Sequence, residues 1–270
     1  MSGAPDFSEN IERFTGFADL YDRHRASPPD ALAGFVAQFI GPARPALVVD
    51  LGSGTGLSTR YWADKAGQVI GVEPAGDMRR QAESVTTAKN VSYRAGFSSE
   101  TGLPPQSANV VVCMQSLHWM DPAATLAEAA RILVPGGAFV ACDHDWPPNS
   151  GSWEADAAFD RCFRQARKLE DEHRLAAKLV HWDKDTHLQR MQESGRFRFM
   201  KDGLLHHRDM GNAERLVGLM LSQGFVRALL KSGITEEEIG IPEFRAVAQR
   251  TLGETMRPFY WGTEVRIGVV

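Results

Sequence analysis

Short, mostly apolar runs alternate with longer helical stretches through the middle of this 270-residue chain. Five such runs occur, at residues 47–49, 69–72, 91–93, 110–113 and 138–141. Continuous apolar runs are typical of strands in a parallel sheet that helices cover on both faces. Helices are predicted between them at 59–65, 76–88 and 122–133, and the turn Pro135-Gly136-Gly137 follows the last of these. The pattern therefore predicts an open, doubly wound α/β domain.

Helical patterns precede the first strand. They fill residues 8–40 and are interrupted at Ser27-Pro28-Pro29, because consecutive prolines remove backbone donors and end a helix. We therefore predict an N-terminal helical cap over residues 1–40 and a ligand-binding core over residues 41–146.

The sequence changes character after Trp146. Residues 152–192 are charged and helical, and further helices are predicted over 212–252, divided near Gly224, Gly233 and Gly240. Two late strand patterns lie at 196–206 and 259–269, the last suited to an antiparallel position. Residues 147–270 are thus predicted to form a helical insertion that covers the carboxyl edge of the sheet, together with the strands that complete it.

The charge balance bears on the partners of the protein. The chain has 34 acidic and 30 basic side chains, a net charge of −4 and an isoelectric point near 6.1. A net negative charge opposes association with phosphate backbones, so we expect no nucleic-acid partner.

The location and the cysteines follow from local composition. No apolar run approaches the roughly 18 residues that span a bilayer, and residues 1–10 lack the basic start and apolar stretch of a secretory signal. We expect a cytoplasmic protein with no membrane partner.

Cys113, Cys142 and Cys162 lack metal-ligand spacing and are predicted to be buried thiols.

A glycine-rich turn follows the first predicted strand, with the sequence Asp50-Leu51-Gly52-Ser53-Gly54-Thr55-Gly56. Gly52 and Gly54 allow a ligand to approach the backbone closely, and the amides at the start of the next helix favour an anionic group. A dinucleotide-binding fingerprint would place its third glycine at position 57, which is Leu57 here. The turn therefore predicts a cofactor with an anionic group and makes NAD the weaker candidate.

Glu73 ends the second predicted strand, 21 residues after Gly52. A carboxylate at this position in such folds binds the two ribose hydroxyls of a nucleotide-like cofactor. The alternative is that Glu73 only caps the helix that begins near Ala75. Strand, turn and spacing together favour ribose binding.

At this point the chain resembles the class I S-adenosylmethionine-dependent methyltransferases. The resemblance covers about residues 14–146. Within the family, the chain is most similar to the small-molecule branch in which His-Trp follows the fourth strand, that is, to the trans-aconitate methyltransferase-like proteins. Its motifs here are Val48 to Gly56, Val69 to Pro74, Gly96 to Pro104, and Gln115-Ser116-Leu117-His118-Trp119. The resemblance implies a seven-stranded Rossmann-like mixed sheet with the last strand antiparallel, and S-adenosyl-L-methionine as the cofactor.

The same resemblance implies which residues contact the cofactor. Asp50 and the glycine turn would surround its methionine part, Glu73 would bind the ribose, and Met78 would pack on the adenine. Phe97 and Ser98 would flank the adenine, although Ser98-Ser99 stands where similar family members carry Ala-Glu or Asp. The complete predicted set is Asp50, Gly52, Ser53, Gly54, Glu73, Pro74, Met78, Phe97, Ser98 and Gln115.

Methyl transfer requires alignment of the acceptor and exclusion of water more than a dedicated catalytic group. If the acceptor has a proton to lose, His118 is the best-placed base, the alternative being that it hydrogen-bonds the loop while Trp119 packs in the core. Tyr21 resembles the lid residue of the family, and Trp146, with Trp153, is suited to an apolar acceptor pocket. The predicted substrate-contacting residues are Tyr21, His118, Trp119 and Trp146.

The sequence Asp143-His144-Asp145 contains candidate metal ligands. Adjacent residues of a strand point to opposite faces and cannot all reach one ion, so we predict no metal site. His206-His207-Arg208 is interpreted as a polar turn at a strand end.

We therefore expect a methyltransferase that acts on a small molecule with a carboxylate, hydroxyl or amine acceptor, and that is a monomer or a homodimer. Two alternatives remain open at this point. One is a non-catalytic, cofactor-binding relative, and the other is an NAD-binding oxidoreductase.

Overall fold

The computed structural model describes residues 6–41 and 44–270. Residues 1–5 of the predicted cap, and residues 42 and 43 of the predicted core, lie outside the described residues.

Seven strands form one sheet in the order β3-β2-β1-β4-β5-β7-β6. They are β1 (Leu47–Leu51), β2 (Gln68–Val72), β3 (Val91–Arg94), β4 (Ala108–Met114), β5 (Leu133–His144), β6 (Phe199–Gly211) and β7 (Arg257–Val269). Strands β1 to β5 pair in parallel, and β7 runs antiparallel to both of its neighbours, β5 and β6. The predicted fold class, a doubly wound mixed sheet with the last strand antiparallel, is confirmed.

Twelve helices are described around the sheet. They are α1 (Ser8–Arg13), α2 (Ala18–His24), α3 (Leu32–Ile40), α4 (Leu57–Tyr61), α5 (Gly76–Val85), α6 (Pro122–Ile132), α7 (Trp153–Glu172), α8 (His187–Glu193), α9 (Ala213–Leu221), α10 (Gly224–Lys231), α11 (Glu236–Ile239) and α12 (Ile241–Thr251).

Alternate residues of the central strands enter two separate apolar layers, as the two-residue repeat of a strand requires. Val49, Val111 and Phe139 pack on one face, in the layer that contains α6 and Met191 of α8. Val48, Val110 and Val140 pack on the other face, with Leu32 of α3 and Trp62. The strands are buried on both faces, which explains why they are apolar at nearly every position.

A third layer lies over the far end of β7. Helices α7, α9, α10, α11 and α12 contribute to it and pack against Phe259 and Trp261. These late helices therefore cover the first part of β7, at Phe259 and Trp261. Cys113 and Cys142 lie in the sheet core and Cys162 in α7, all buried and unpaired as predicted.

Several predicted elements are wrong in extent. Residues 152–192 are not one helical region, because α7 ends at Glu172 and residues 173–186 are irregular apart from a short 3₁₀ turn. The Pro135–Gly137 segment belongs to the first part of β5. His206-His207-Arg208 lies in the middle of β6 and not in a turn, because β6 continues to Gly211 in register with β7.

Among residues 6–41 and 44–270, no helix is long and apolar enough to cross a membrane.

Candidate functional site

In the glycine turn after β1, Gly52 is packed closely against another segment, whereas Gly54 faces open space. Both Gly52 and Gly54 have positive φ angles, +67° and +55°. A Cβ on Gly52 would lie 2.5 Å from the Met120 methyl and 2.7 Å from Ser116 Cβ, whereas one on Gly54 would meet no atom within 4 Å. Glycine at 52 thus lets the turn pack on the segment after β4, and glycine at 54 leaves the space in front of the turn free.

Glu73 joins this turn to the start of α5. Its two carboxylate oxygens accept hydrogen bonds from the amides of Gly54 and Ala75, each at 2.8 Å. Burial raises the pKa of Glu73, and the two amides oppose that rise. The carboxylate caps the helix and also faces the cavity, so the two interpretations of Glu73 are compatible, since each oxygen has a second lone pair for a ligand hydroxyl.

A cavity opens between the glycine turn, Glu73 and the N-terminal helices. Nine of the ten predicted cofactor residues line it: Gly52, Ser53, Gly54, Glu73, Pro74, Met78, Phe97, Ser98 and Gln115. We call it the front cavity. It is also bounded by residues of the cap, including Phe7, Ile11, Phe14 and Tyr21.

Asp50 departs from its predicted place. It is fully buried beneath the turn, and its Oδ2 accepts a hydrogen bond of 2.7 Å from the Thr59 hydroxyl. Burial raises the pKa of Asp50 to about 7. Asp50 supports the turn from below and is not part of the cavity wall.

Three wall hydroxyls are buried without a hydrogen-bond partner in the described residues, those of Ser53, Thr55 and Ser58. Unsatisfied buried hydroxyls are costly, and most such groups in folded proteins have a partner. All three residues line the front cavity, which suits a polar ligand.

A second cavity lies behind the front one, with a volume of about 350 Å³. The predicted substrate residues Tyr21, His118, Trp119 and Trp146 all line it. We call it the rear cavity. The two cavities share a wall made of Phe14, Tyr21, Arg25, Gln115, Trp119 and Trp146.

Arg25 is the cation of this shared wall. Its guanidinium lies 4.6 Å from the Tyr21 ring centroid and 4.7 Å from that of Trp146. It donates to the Ser222 carbonyl and hydroxyl and to Gln223 Oε1. No acidic side chain of the described residues forms an ion pair with it, and burial lowers its pKa. Arg25 is therefore a cation whose protein partners are all neutral.

Lys184 lines the rear cavity and contacts Asp143, which is not part of the cavity wall. The Lys184 ammonium is 2.6 Å from Gln115 Oε1 and 3.2 Å from Asp143 Oδ1. Arg266 Nη1 lies 2.9 Å from the other oxygen of Asp143. Burial by itself raises the pKa of Asp143, but the neighbouring His118 ring and the Lys184 charge outweigh it and hold that pKa below its usual range. One carboxylate is thus shared by two cations.

His118 lies on the rear wall, 3.6 Å from Asp143 Oδ1 through its Nδ1. Burial lowers the pKa of His118 to about 3, so its ring is neutral at physiological pH. A neutral imidazole can accept a proton, but one with such a low pKa is a weak base. His118 does not border the front cavity.

His118, Asp143 and His187 bring three metal-ligating atoms within 4.8 Å of one another. Both oxygens of Asp143 already contact a cation, Lys184 or Arg266. A divalent ion here would lie beside two fixed positive charges, so the geometry is unfavourable for a metal. As expected for a strand, His144 points away from this group and contacts Thr263. The absence of a metal stays a prediction.

Sequence reasoning assigned no role to several residues of the rear cavity, among them Arg25, His181 and Lys184. Arg25 lies one position beyond α2, and the other two lie in the irregular segment after α7, where no periodic pattern places side chains. The suggestion that Trp153 lines an acceptor pocket is wrong, because its side chain is 79% exposed at the start of α7.

Part of the chain that lines the front cavity matches a known protein family. Residues 49–141 match the family model described as a methyltransferase domain. This stretch is similar to methyltransferase domains. The predicted resemblance to methyltransferases is confirmed, while the trans-aconitate-like branch stays a prediction.

Two relatives whose names include the word methyltransferase match part of this chain. An uncharacterised methyltransferase of Mycobacterium tuberculosis is 36% identical over 128 residues, 46% of this chain and 49% of that protein. A Saccharomyces cerevisiae protein named as a probable S-adenosylmethionine-dependent methyltransferase is 27% identical over 124 residues, 44% of this chain and 42% of that protein. The chain thus spans about half the length of the curated relatives it matches.

A solved structure extends the likeness of fold beyond the matched stretch. A protein of Anaeromyxobacter dehalogenans classed as a type II methyltransferase has a TM-score of 0.65 and 22% sequence identity, covering 91% of this chain and 97% of that one. The stretch that the family model matches contains the glycine turn, Glu73 and Gln115. Tyr21, Arg25 and Lys184 lie outside it, so the rear cavity is built largely from segments that the family model does not describe.

Proposed function

We propose that this chain is an S-adenosylmethionine-dependent methyltransferase whose acceptor is a small molecule with a carboxylate. The observation that carries the proposal is the wall shared by the front and rear cavities, in which Arg25 is a partly buried cation without an acidic partner among the described residues. The front cavity would hold the methyl donor, and the rear cavity would hold the acceptor.

The front cavity fits S-adenosylmethionine in its polar groups. Glu73 offers carboxylate lone pairs to ribose hydroxyls, and the cavity wall includes Ser53 and Thr55, whose buried hydroxyls have no partner in the described residues. Met78 and Phe97 supply apolar surface for the adenine. The name of the yeast relative includes the same cofactor, which supports the assignment by family. Leu57 in place of a third glycine argues against NAD.

Charge in the rear cavity favours an anionic acceptor. Arg25 and Lys184 both line it, and Arg13 and Arg167 do so as well. The acidic groups near them are Asp143, which is shared by Lys184 and Arg266, and Glu170, which is shared by Arg13 and Arg167. More cations than anions therefore face the cavity, and buried cations are stabilised by an anionic ligand.

Aromatic side chains set the remaining shape of the rear cavity. Phe14, Trp119, Trp146, Phe163 and Phe225 line it. Flat apolar walls with a few polar groups are typical of small-molecule pockets, and a volume of about 350 Å³ limits the acceptor to a small molecule. An apolar acid with one carboxylate directed at Arg25 and Lys184 suits these walls.

The cofactor, when bound, supplies an activated methyl group on a sulfonium. A carboxylate oxygen of the acceptor would form the new C–O bond while the C–S bond breaks and its electron pair stays on sulfur. No proton leaves a carboxylate in this displacement, so the chain needs no general base. Its residues would align the acceptor through Arg25 and Lys184 and exclude water with the aromatic wall.

The test is methyl transfer from S-adenosylmethionine to a panel of aromatic and aliphatic carboxylic acids, each paired with its amide and its alcohol. The proposal predicts methyl esters, detected by mass spectrometry, from acids and no product from the matched amides. Methylation of the alcohols or amides in preference to the acids would contradict the acceptor class, and the absence of S-adenosylhomocysteine formation with every acceptor would contradict the activity.

A further inference from the structure

The last strand of the sheet, β6, has one edge without a partner strand in the described residues. It pairs with β7 over all thirteen of its residues, from Phe199 to Gly211, and no other described strand lies beyond it. A long free edge presents unpaired backbone donors and acceptors that another strand can use. Proteins often protect such an edge with charged side chains, so the charges on β6 decide what can pair with it.

Three of the charged residues on β6 are exposed and form no ion pair with other described residues: Lys201, Asp202 and Arg208. Asp202 lies opposite Arg266 on β7, but that guanidinium contacts Asp143 and Glu264 instead. The fourth charged residue, Asp209, already contacts Arg215 and accepts a hydrogen bond from the Trp261 indole. Among the described residues, the charges of β6 that lack a partner are therefore those of Lys201, Asp202 and Arg208.

The order of these charges is self-complementary in one antiparallel register. Two copies of one strand turn the same alternate residues to the open edge, so a two-fold axis between them passes through a residue position. With the axis at Leu205, each residue faces the residue of the other copy that lies equally far from Leu205 on its opposite side. Asp202 then faces Arg208 of the other copy, and Lys201 faces Asp209.

Neighbouring registers lack this complementarity. An axis at Lys201, Asp202, Arg208 or Asp209 places a residue directly opposite its own copy, with like charges in contact. With the axis at any other position between Asp202 and Arg208, Asp202 does not face Arg208 and Lys201 does not face Asp209. The alternating charges thus do more than protect the edge, because they oppose some registers and favour one.

Apolar residues agree with the same register. Leu205 would face its own copy, and Met200 would face Met210. Leu204 and Met210 are 55% and 46% exposed, so apolar surface is available on the strand. The Met210 carbonyl accepts a hydrogen bond from Arg215, which restricts backbone pairing to residues before it.

We infer that β6 is the interface for a second copy of this chain, which extends the sheet antiparallel across a two-fold axis at Leu205. The inference is independent of the proposed activity, because β6 contributes no residue to either cavity wall. Each dimer would contain two symmetric Asp202–Arg208 pairs.

Charge exchange tests the register directly, by sedimentation equilibrium of the full chain. The wild type is expected to be a dimer. Asp202→Arg and Arg208→Asp should each weaken the dimer by about tenfold or more, since each places two like-charge contacts in the interface. Mixing the two variants should restore a dimer that contains one copy of each, and the double variant should dimerise again. Lys89→Glu, an exposed charge change on a distant loop, is the matched control and should stay dimeric.

A monomeric wild type across the concentration range would overturn the inference. So would a dimer that neither single variant weakens, or a mixture of the two variants that remains monomeric. Circular dichroism of each variant confirms that the substitutions, all at exposed positions, leave the fold intact.

Discussion

The Lys184 ammonium lies 2.6 Å from Gln115 Oε1, so a residue of the irregular segment after α7 is bonded to the end of β4. Gln115 borders the front cavity, and both residues border the rear one. This hydrogen bond connects the proposed donor site with the proposed acceptor site.

Lys184→Gln should weaken binding of the carboxylate acceptor more than binding of the cofactor. Removal of the charge is expected to raise KM for the acid by about tenfold or more, as charge-assisted contacts are worth roughly 1.5 to 3 kcal/mol. The affinity for S-adenosylhomocysteine should change little. Steady-state kinetics and calorimetry check the two values, with Lys178→Gln, an 80% exposed lysine of the same segment, as the control. An unchanged KM in Lys184→Gln would contradict the assigned role.

Glu73→Gln should weaken cofactor binding. The substitution keeps the size of the side chain but removes the charge that accepts from Gly54 and Ala75 and that would accept from the ribose. We expect the dissociation constant for S-adenosylhomocysteine to rise by about tenfold or more. Glu83→Gln on α5, where the carboxylate is 53% exposed, should bind like the wild type. Equal affinity in Glu73→Gln and Glu83→Gln would show that Glu73 only caps α5.

The variant His118→Asn tests whether His118 acts as a general base or only forms part of the cavity wall. Because a carboxylate acceptor has no proton to lose, and because the pKa of His118 is about 3, we expect the variant to keep more than about a tenth of kcat. The profile of kcat between pH 6 and 9 should be flat in both proteins. A loss of 100-fold or more, the typical range for removal of a general base, would restore the catalytic role predicted from the sequence.

Asp50→Asn should stabilise the protein at alkaline pH. Burial raises the folded-state pKa of Asp50 from 3.8 to about 7, so its contribution to stability is fully present below pH 3.8 and is lost as the pH rises through 7. The variant imitates the neutral carboxyl and should gain roughly 2 to 4 kcal/mol over the wild type between pH 4 and pH 8. Chemical denaturation at several pH values measures the difference.

Asp64→Asn is the matched control for that comparison, since its carboxylate is 80% exposed. A stability difference between Asp50→Asn and wild type that does not grow with pH would show that Asp50 is ionised without cost in the folded protein.

The parallel sheet and the front cavity were predictable because their signals are local. Each central strand is buried on both faces and is therefore apolar at nearly every position, and the turn from Gly52 to Gly56 requires glycine at positions of positive φ. Glu73 follows from its spacing to that turn. Asp50 was misplaced because the sequence shows that it ends a strand but not whether its carboxyl points to the cavity or to Thr59.

The rear cavity was only partly predictable. Tyr21, His118, Trp119 and Trp146 were recognised as candidates, but their convergence depends on contacts between distant segments. Arg25 is held by Ser222 and Gln223, about 200 positions away, and Lys184 lies in an irregular segment without periodicity. No local pattern reports such contacts, which is why the cations that favour a carboxylate became visible only in the fold.

Ligand-dependent thermal unfolding tests the central claim most directly. The full chain is heated alone, with S-adenosylhomocysteine and with NAD, because a ligand at a hundred times its dissociation constant stabilises the folded state by about 2.7 kcal/mol. For a chain of this length that is a rise in Tm of roughly 5 to 10 °C. The account predicts this rise with S-adenosylhomocysteine, its loss in Glu73→Gln, and no rise with NAD. A rise with NAD alone, or none with either ligand, would contradict it.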